Sequence, residues 1–362
     1  MDWLKMQPNL TNDLNHILAH TKDLWEELRG QRIFITGGTG FFGCWLLESF
    51  IWVNDRLDLK ASAVVLTRNP DSFRQKAPHL ANHTAIQFHS GDVRSFQFPE
   101  GEFSYIIHGA TEASAKLNQE DPLLMFDTII EGTRHTLEFA KFCQAKKFLL
   151  TSSGAVYGKQ PPEITHVSED YLGSPDLTNP GYAYAEGKRA AEMLCTLYAK
   201  QQGLETKIAR CFAFVGPYLP LDVHFAIGNF IRDGMTGGPI LIQGDGTPYR
   251  SYLYAADLAI WLWTILFKGK SCYPYNVGSD GDLTIAELAE VIASTFASKV
   301  EVVIAKEPIP GKAAERYVPS VQRAFDELQL KPLISLGESI IRTASYTKSV
   351  EHRLLIRTGN RQ

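Results

Sequence analysis

Residues 32–43 read RIFITGGTGFFG, and this stretch decides the predicted fold. Its apolar start predicts a strand, its spaced glycines predict a tight turn, and the residues that follow predict a helix. Gly37 allows the chain to turn sharply, Gly40 allows backbone to approach a pyrophosphate, and Gly43 allows the helix to pack closely on the strand. Free N–H groups at the start of the helix are suited to phosphates. The stretch therefore predicts a dinucleotide site, in preference to a glycine turn without a ligand.

Short apolar runs alternate with helical stretches beyond this motif. Strands are predicted at residues 33–36, 63–67, 86–89, 105–108, 147–152 and 206–211, and helices at residues 41–53, 127–144 and 182–202. Strands that alternate with helices are typical of βαβ units. The sequence therefore predicts an α/β fold with a doubly wound parallel sheet of the Rossmann type.

The chain is predicted to have four parts. Gly and Pro become frequent after about residue 214, which indicates that a different, smaller part begins there. The predicted parts are a helical extension (1–30) that packs on the main body or on a partner, a dinucleotide-binding domain (31–215), a substrate-binding part interleaved with it (216–345), and a tail (346–362).

Composition and charge exclude several classes of protein. The 362 residues carry a net charge of −4, with no basic surplus that would indicate nucleic-acid binding. The longest apolar run, residues 258–267, is too short to span a bilayer and predicts a buried helix. Residues 1–30 lack the basic start and apolar core of a signal peptide. We expect a cytoplasmic protein with no nucleic-acid or membrane partner and no metal site.

The residues after the second predicted strand bear on the choice of dinucleotide. An acidic side chain there would bind the ribose hydroxyls of NAD, but the sequence is Thr67-Arg68-Asn69. Arg68 would suit the 2′-phosphate of NADP, and the alternative is an exposed surface arginine. Asp92, which follows the third strand, is predicted to contact the adenine.

A serine, a tyrosine and a lysine form the predicted catalytic set. Tyr184 and Lys188 are four residues apart on a predicted helix, so they share one face. An ammonium close to a phenol favours the phenolate and is expected to lower the pKa of Tyr184. Such a tyrosine takes a proton from a sugar hydroxyl as hydride leaves, or returns it in reduction. Ser153, in the loop after the fifth strand, is the best candidate to orient the reacting oxygen, whereas Tyr182 has Glu186 rather than a lysine four residues on.

These motifs, in this order, resemble the extended short-chain dehydrogenase/reductase superfamily, in particular its nucleotide-sugar epimerase, dehydratase and decarboxylase branch. The resemblance runs from residue 32 to about residue 330. The motifs that carry it are residues 36–43 (TGGTGFFG), 152–158 (SSGAVYG), 184–188 (YAEGK), 210–217 (RCFAFVGP), 244–251 (GDGTPYRS) and 275–278 (YNVG).

The resemblance implies further contacts. For the cofactor, NAD or NADP, it implies Gly37, Thr39, Gly40, Phe41, Phe42, Gly43, Arg68, Asp92, Val93, Ala110 and Lys188. For a nucleoside-diphosphate sugar it implies Thr111, Ser114, Asn229, Phe230, Arg250 and Arg316, with the arginines on the diphosphate. The helices predicted at residues 127–144 and 182–202 resemble the helices through which the family forms homodimers.

Three departures from the family pattern shape the expected activity. Dehydratases and decarboxylases of this branch carry an acid in the loop that here reads Gly154-Ala155, Arg68 replaces the acid of NAD-retaining epimerases, and Ala213 replaces a usual Asn. We therefore expect hydride transfer at C4 of the sugar, by a 4-epimerase or a 4-ketoreductase. The alternative is a 4,6-dehydratase or a decarboxylase, since residues 184–189 look most like the UDP-glucuronate decarboxylases. A regulatory dinucleotide sensor and a reductase of non-nucleotide ketones are the other classes.

Overall fold

A seven-stranded sheet lies at the centre of the computed structural model, which describes residues 10–111, 115–223, 225–296 and 300–359. The strands are β1 (Arg32–Thr36), β2 (Ser62–Thr67), β3 (Ile86–Ser90), β4 (Tyr105–His108), β5 (Lys147–Ser153), β6 (Glu205–Cys211), β7 (Phe214–Val215), β8 (Ile240–Ile242), β9 (Tyr249–Arg250), β10 (Leu253–Tyr254), β11 (Pro274–Val277), β12 (Leu283–Thr284), β13 (Val302–Ile304) and β14 (Arg316–Tyr317). The central sheet is parallel and has the order β11-β6-β5-β4-β1-β2-β3. The order reverses between β1 and β4, and in such sheets ligands bind at the carboxyl ends of the strands beside that reversal.

Helices cover both faces of this sheet. They are α1 (Thr11–Thr21), α2 (Phe41–Leu57), α3 (Pro70–Lys76), α4 (Pro78–Ala81), α5 (Ala115–Glu120), α6 (Pro122–Phe142), α7 (Ala183–Gln202), α8 (Ala226–Thr236), α9 (Ala255–Lys268), α10 (Ile285–Thr295), α11 (Gln322–Leu328) and α12 (Leu336–Gly359), with 3₁₀ turns at Lys22–Leu28, Gly154–Tyr157 and Pro180–Tyr182. Alternate residues of β1 enter opposite apolar cores: Ile33 and Ile35 pack with α2 and α9, whereas Phe34 packs with α6 and α7. The predicted α/β, Rossmann-type fold is confirmed.

The predicted strands and helices are all present, and the largest shift is at the start of α6. That helix begins at Pro122 rather than at residue 127. Asp121 explains the earlier start, because its carboxylate accepts a hydrogen bond from Leu124 N at 3.0 Å and proline favours the first helical position.

The N-terminal extension packs on the main body of the protein. Helix α1 lies against α9, and Ile17 and Trp25 are fully buried in the core between α9 and the sheet. Asp13 accepts a hydrogen bond from the Tyr254 hydroxyl at 2.7 Å, and His16 pairs with Asp257 at 3.1 Å. His20 lies one helical turn after His16, and its ring bonds to the backbone oxygen of His16.

The second half of the chain contributes to the central sheet as well as to smaller sheets. β11 returns to the edge of the central sheet, whereas β9, β12 and β14 form a separate three-stranded sheet. The apolar run at residues 258–267 forms the buried helix α9, as predicted. Among the described residues, no helix combines the length and apolar character needed to cross a membrane. The division of the chain at residue 215 stays a prediction.

Candidate active site

The glycine turn forms a tight cradle at the reversal of the sheet. Gly37 has a φ of +73°, and a Cβ atom there would lie 2.5 Å from the backbone carbon of Gly109 in the neighbouring strand connection. A Cβ on Gly43 would lie 2.3 Å from the backbone of Gly38. Only glycine fits at either position, so β1, the connection after β4 and α2 meet more closely than other residues allow.

The start of α2 is prepared for a phosphate group. Its first residues have no side-chain cap, and Gly40, the N-cap, has an unstrained φ of −79°. A Cβ on Gly40 would meet only Gly37 O, at 3.4 Å, so the space in front of the helix stays open. The rings of Phe41 and Phe42 pack against the core, which leaves their backbone as the part that faces a dinucleotide. This cradle fits the pyrophosphate of NAD or NADP.

Arg68 and Asp92 lie close together at the ends of β2 and β3. The carboxylate of Asp92 is held by Arg94, with 2.9 Å from Nε to Oδ1 and 3.1 Å from Nη2 to Oδ2. Hydrogen bonds from Arg94 lower the pKa of Asp92 the most, and the positive charge of Arg68 adds to this effect. The ends of both strands therefore present charged groups where the adenosine part of a dinucleotide is predicted, with Val93 packed against Gly132 of α6 behind them.

A histidine that sequence reasoning missed fixes the floor of this site. His108, at the end of β4, bonds through Nδ1 to Thr36 Oγ1 at 2.8 Å and through Nε2 to Thr133 Oγ1 at 3.1 Å. Burial lowers the pKa of His108 to about 3, so the ring is neutral. Thr36 Oγ1 also accepts a hydrogen bond from Ala110 N at 3.1 Å. The network joins β1, β4 and α6 under the glycine cradle, and Thr36 and His108 pair in register at the ends of adjacent strands.

The structure brings Ser153, Tyr184 and Lys188 together at the end of β5. Lys188 is buried on α7, and its Nζ donates a hydrogen bond to Thr151 O at 2.8 Å. This Nζ lies 5.8 Å from the centre of the Tyr184 ring. Ser153 Oγ accepts a hydrogen bond from Ala155 N at 3.1 Å and lies close enough to the Tyr184 phenol to oppose the rise of its pKa. The three side chains thus form one cluster.

The expected lowering of the Tyr184 pKa is wrong for the protein without ligands. Burial raises the pKa of Tyr184 to about 12, and the Ser153 hydrogen bond opposes this rise only partly. Burial also lowers the pKa of Lys188 to about 8. The physical reason is desolvation, which disfavours the phenolate of Tyr184 and the ammonium of Lys188.

A second missed residue, Asn118, holds the start of α7, which carries Tyr184. Its side-chain oxygen accepts a hydrogen bond from Tyr184 N at 3.0 Å, and its side-chain nitrogen donates to Gly181 O at 2.7 Å. Asn118 therefore fixes the backbone immediately around Tyr184 from the neighbouring helix α5. Sequence spacing gives no sign of this contact, because 66 residues separate the two partners.

Ser152, next to the predicted catalytic residue Ser153, has a structural role. Its hydroxyl donates to Glu192 Oε1 at 2.6 Å, and Arg210 pairs with the same carboxylate at 2.7 Å. Arg210 also donates to the Tyr157 hydroxyl at 2.9 Å, which in turn donates to Asn276 at 2.7 Å. This network places Ser152 behind β5 and leaves Ser153 as the hydroxyl beside Tyr184.

The three-stranded sheet β12-β9-β14 supplies the arginines predicted for the diphosphate. Arg250 pairs in register with Tyr317, and Arg316 pairs with Tyr249. The Arg316 guanidinium lies 3.9 Å from the centre of the Tyr249 ring and donates to Asp282 at 2.6 Å. Arg250 and Arg316 therefore lie on adjacent strands of the same small sheet but on opposite faces of it, and Arg316 is paired with Asp282.

The remaining predicted substrate contacts differ in their surroundings. Thr111 Oγ1 is buried without a hydrogen-bond partner among the described residues, as is Ser251 Oγ, next to Arg250 in the sequence. The Phe230 ring is buried in the apolar core of the C-terminal part, so only its backbone can reach a ligand. Asn229 is half-buried and accepts a hydrogen bond from Arg232 at 3.4 Å. Ser114 lies outside the described residues.

Comparison with known proteins agrees with this geometry. The model of the NAD-dependent epimerase/dehydratase family matches residues 33–278. UDP-glucuronic acid decarboxylase 1 of Danio rerio is 30% identical over 325 residues, which cover 89% of this chain and 74% of that protein. UDP-glucuronic acid decarboxylase 1 of Arabidopsis thaliana is 31% identical over 314 residues, which cover 87% of this chain and 69% of that protein.

A solved structure shares the fold. The UDP-glucuronic acid 4-epimerase of Bacillus cereus, in complex with UDP-glucuronic acid and NAD, superposes with a TM-score of 0.75 at 23% identity, over 88% of this chain and 100% of that one. The match of the family model covers well over half of the chain and includes the glycine cradle, Ser153, Tyr184 and Lys188. This protein is therefore an enzyme of the NAD-dependent epimerase/dehydratase family.

Proposed function

We propose that the enzyme binds a nucleoside-diphosphate sugar and transfers hydride between C4 of the sugar and a nicotinamide dinucleotide. The cluster of Ser153, Tyr184 and Lys188 beside the glycine cradle carries this proposal. The cradle and the ends of β2 and β3 would hold the dinucleotide, which accepts or returns hydride when bound. Arg250 and Arg316 suit the diphosphate of the substrate.

The chain's own side chains account for the proton. In oxidation the Tyr184 phenolate removes the proton of the C4 hydroxyl, and in reduction the phenol returns it. Ser153 Oγ, beside the phenol, orients the same oxygen. The Lys188 ammonium, fixed by Thr151 O, lies 5.8 Å from the centre of the phenol ring, and its positive charge favours the phenolate against the burial that raises the pKa of Tyr184.

Residue 155 favours an epimerase or a ketoreductase. The loop acid expected of a dehydratase or a decarboxylase is absent from Gly154-Ala155, and Gly154 packs directly on Phe212. Glu192 is the carboxylate that acts on the pKa of Lys188, and it is already bonded to Ser152 and Arg210. C4 oxidation and reduction need only the proton of the C4 hydroxyl, which Tyr184 handles.

The second candidate is decarboxylation of a nucleotide-linked glucuronic acid, which the curated relatives favour. Oxidation at C4 would turn such a sugar into a β-keto acid, which loses CO₂ before hydride returns to C4. The same tyrosine serves this chemistry, so the two candidates differ in the fate of the carboxylate.

Product analysis separates the candidates. The enzyme would be incubated with UDP-glucuronate, UDP-glucose, dTDP-glucose or CDP-glucose, with NAD or NADPH, and the products identified by mass spectrometry and NMR. A product of unchanged mass with inverted C4 indicates an epimerase, and NADPH consumption with a 4-keto substrate indicates a ketoreductase. Loss of CO₂ establishes decarboxylation and loss of water establishes dehydration. No conversion of these four sugars or of a 4-keto substrate contradicts the proposal.

We further expect NADP to be the preferred dinucleotide. Arg68 stands where an acid would select NAD, close enough to Asp92 to lower the pKa of that residue. Wild-type enzyme should bind NADPH at least about tenfold more tightly than NADH, and Arg68→Ala should remove this difference while affinity for NADH stays within about twofold. Calorimetry measures both constants, and Arg74→Ala, an arginine paired with Asp71 on α3, is the matched control. Stoichiometric NAD released from the freshly purified, denatured enzyme would contradict the expectation.

The helices α6 and α7 are proposed to form the interface of a homodimer. They pack on each other and expose a set of large apolar side chains: Leu123, Leu124, Phe142, Met193 and Leu197. Single domains rarely expose so many apolar side chains on adjacent helices, and a second copy of the same pair would cover them by two-fold symmetry.

Charges on α7 should dissociate this dimer. Met193 and Leu197 are 59% and 42% exposed and lie one turn apart, so Met193→Glu with Leu197→Glu places two carboxylates in the interface. We expect light scattering after gel filtration to give a dimer for wild type and a monomer for this variant. Leu172→Glu, at an apolar residue that is 93% exposed on the loop before the catalytic helix, should remain a dimer. A monomeric wild type, or a variant that still dimerises, contradicts the proposed interface.

A further inference from the structure

A lysine outside the predicted cofactor contacts reaches the glycine turn. Lys76, in the last turn of α3, donates a hydrogen bond from Nζ to the backbone oxygen of Thr39 at 2.9 Å. Thr39 directly precedes Gly40, the N-cap of α2. The Lys76 charge also acts on the buried thiol of Cys44 in the first turn of α2, where it opposes the rise of the thiol pKa that burial causes. Both observations place the Lys76 ammonium at the start of α2.

The short helix α3 is anchored, so the position of Lys76 does not depend on its side chain alone. Asn69 caps the helix, because its side-chain oxygen accepts a hydrogen bond from Ser72 N at 3.0 Å. Phe73 is buried, and its ring meets the ring of Phe88 on β3 edge-on with 5.7 Å between centres. The backbone that carries Lys76 is therefore fixed against the sheet beside the glycine turn.

No acid neutralises the Lys76 charge within the part of the chain that the structure describes. Lysines elsewhere pair with a carboxylate, as do Lys60 with Asp58, Lys147 with Glu27 and Lys270 with Glu327. The Lys76 side chain is exposed, and its one hydrogen bond is to a neutral backbone oxygen. An ammonium has three N–H donors, so two of them remain for an anion.

A phosphate group of the dinucleotide is the anion that suits this position. The strands β1 and β2 pair with Thr36 opposite Leu66, so the segment that follows β2 starts beside the glycine turn. This segment carries Arg68 at one end and Lys76 at the other, and Lys76 returns to the turn itself. Lysine binds phosphate as a point charge, and the free N–H groups at the start of α2 attract the same group.

We propose that Lys76 binds a phosphate group of the dinucleotide at the glycine turn. The inference rests on the proposed function, which places a dinucleotide at this turn, and it adds a residue of α3 that the glycine motif does not include. The group is the 2′-phosphate, which only NADP carries, or the pyrophosphate, which NAD and NADP share.

Calorimetry with both dinucleotides tests the proposal and identifies the phosphate. Wild type, Lys76→Gln, Lys76→Arg and Lys268→Gln would each be titrated with NADPH and with NADH. Lys76→Gln removes the charge and keeps an N–H donor for Thr39 O, whereas Lys76→Arg keeps the charge. Lys268 is the matched control, since it is exposed in the last turn of α9, which ends shortly before β11 begins and so lies at the edge of the parallel sheet opposite the glycine turn.

We expect Lys76→Gln to raise the dissociation constant of at least one dinucleotide by at least about fivefold, and Lys76→Arg and Lys268→Gln to stay within about twofold of wild type. A loss for NADPH alone assigns Lys76 to the 2′-phosphate, and an equal loss for both dinucleotides assigns it to the pyrophosphate. Wild-type affinity of Lys76→Gln for both overturns the inference, as does an equal loss in Lys76→Arg, because the charge would then not be responsible. A wild type that binds neither dinucleotide refutes the proposed function, and the role of Lys76 falls with it.

Discussion

Tyr184→Phe is expected to lower the turnover number by at least about 100-fold and to leave dinucleotide affinity within about twofold of wild type. The ring and its place on α7 remain, so the cradle proposed for the dinucleotide is undisturbed. The hydroxyl that exchanges the proton of the sugar is lost, and Ser153 cannot replace it, because a serine hydroxyl is a far weaker acid than a phenol. Steady-state kinetics on the substrate that wild type converts, with calorimetry of the dinucleotide, measures both quantities.

Tyr182→Phe is the control that gives this result its meaning. Tyr182 lies two residues before Tyr184 in the 3₁₀ turn Pro180–Tyr182, and no lysine stands four residues after it. Its phenyl variant should keep the turnover number within about twofold of wild type. Equal turnover of Tyr184→Phe and Tyr182→Phe would show that Tyr184 is not the proton-transfer group, and a strong loss in Tyr182→Phe alone would move that role to Tyr182.

Local sequence rules were sufficient for the sheet and for the parts of the site that follow single strands. The run at residues 32–43 contains its strand, turn and helix in one segment, so each glycine has a role that neighbouring residues reveal. Tyr184 and Lys188 are likewise neighbours on one helix. The α/β alternation and the parallel sheet follow from the same short-range patterns.

Contacts between distant segments were beyond such rules. His108 meets Thr36 across 72 residues, Asn118 meets Tyr184 across 66, and Tyr317 meets Ser153 across 164. Each of these contacts depends on which strands become neighbours, and the order of strands in a sheet is a property of the whole fold. The pKa of Tyr184 was mistaken for a related reason, because the sequence shows the nearby lysine but not the burial that opposes it.

The glycine cradle provides the other large expected effect. Gly37→Ala should raise the dissociation constant of the dinucleotide by at least about 100-fold and lower the melting temperature. The reason is that its Cβ would lie 2.5 Å from the backbone of Gly109 and push the ends of β1 and β4 apart. Gly203→Ala is the matched control, since Gly203 has a φ of +71° against +73° for Gly37, but a Cβ atom on Gly203 would have no neighbour within 4 Å. Gly203→Ala should lower the free energy of unfolding by only about 1 kcal/mol, the cost of a side chain in the left-handed backbone region, and it should leave dinucleotide affinity unchanged.

Gly40→Ala separates the loss of affinity from the loss of stability. The φ of −79° at Gly40 suits alanine, and its Cβ would meet only Gly37 O at 3.4 Å, so the variant should melt within about 2 °C of wild type. The same methyl group would occupy the space in front of the α2 N-terminus and keep a pyrophosphate away from the backbone N–H groups. We therefore expect Gly40→Ala to fold normally and to bind the dinucleotide at least about tenfold more weakly. Calorimetry and thermal melts of the three variants test this, and wild-type affinity in both Gly37→Ala and Gly40→Ala would show that the dinucleotide does not bind at the cradle.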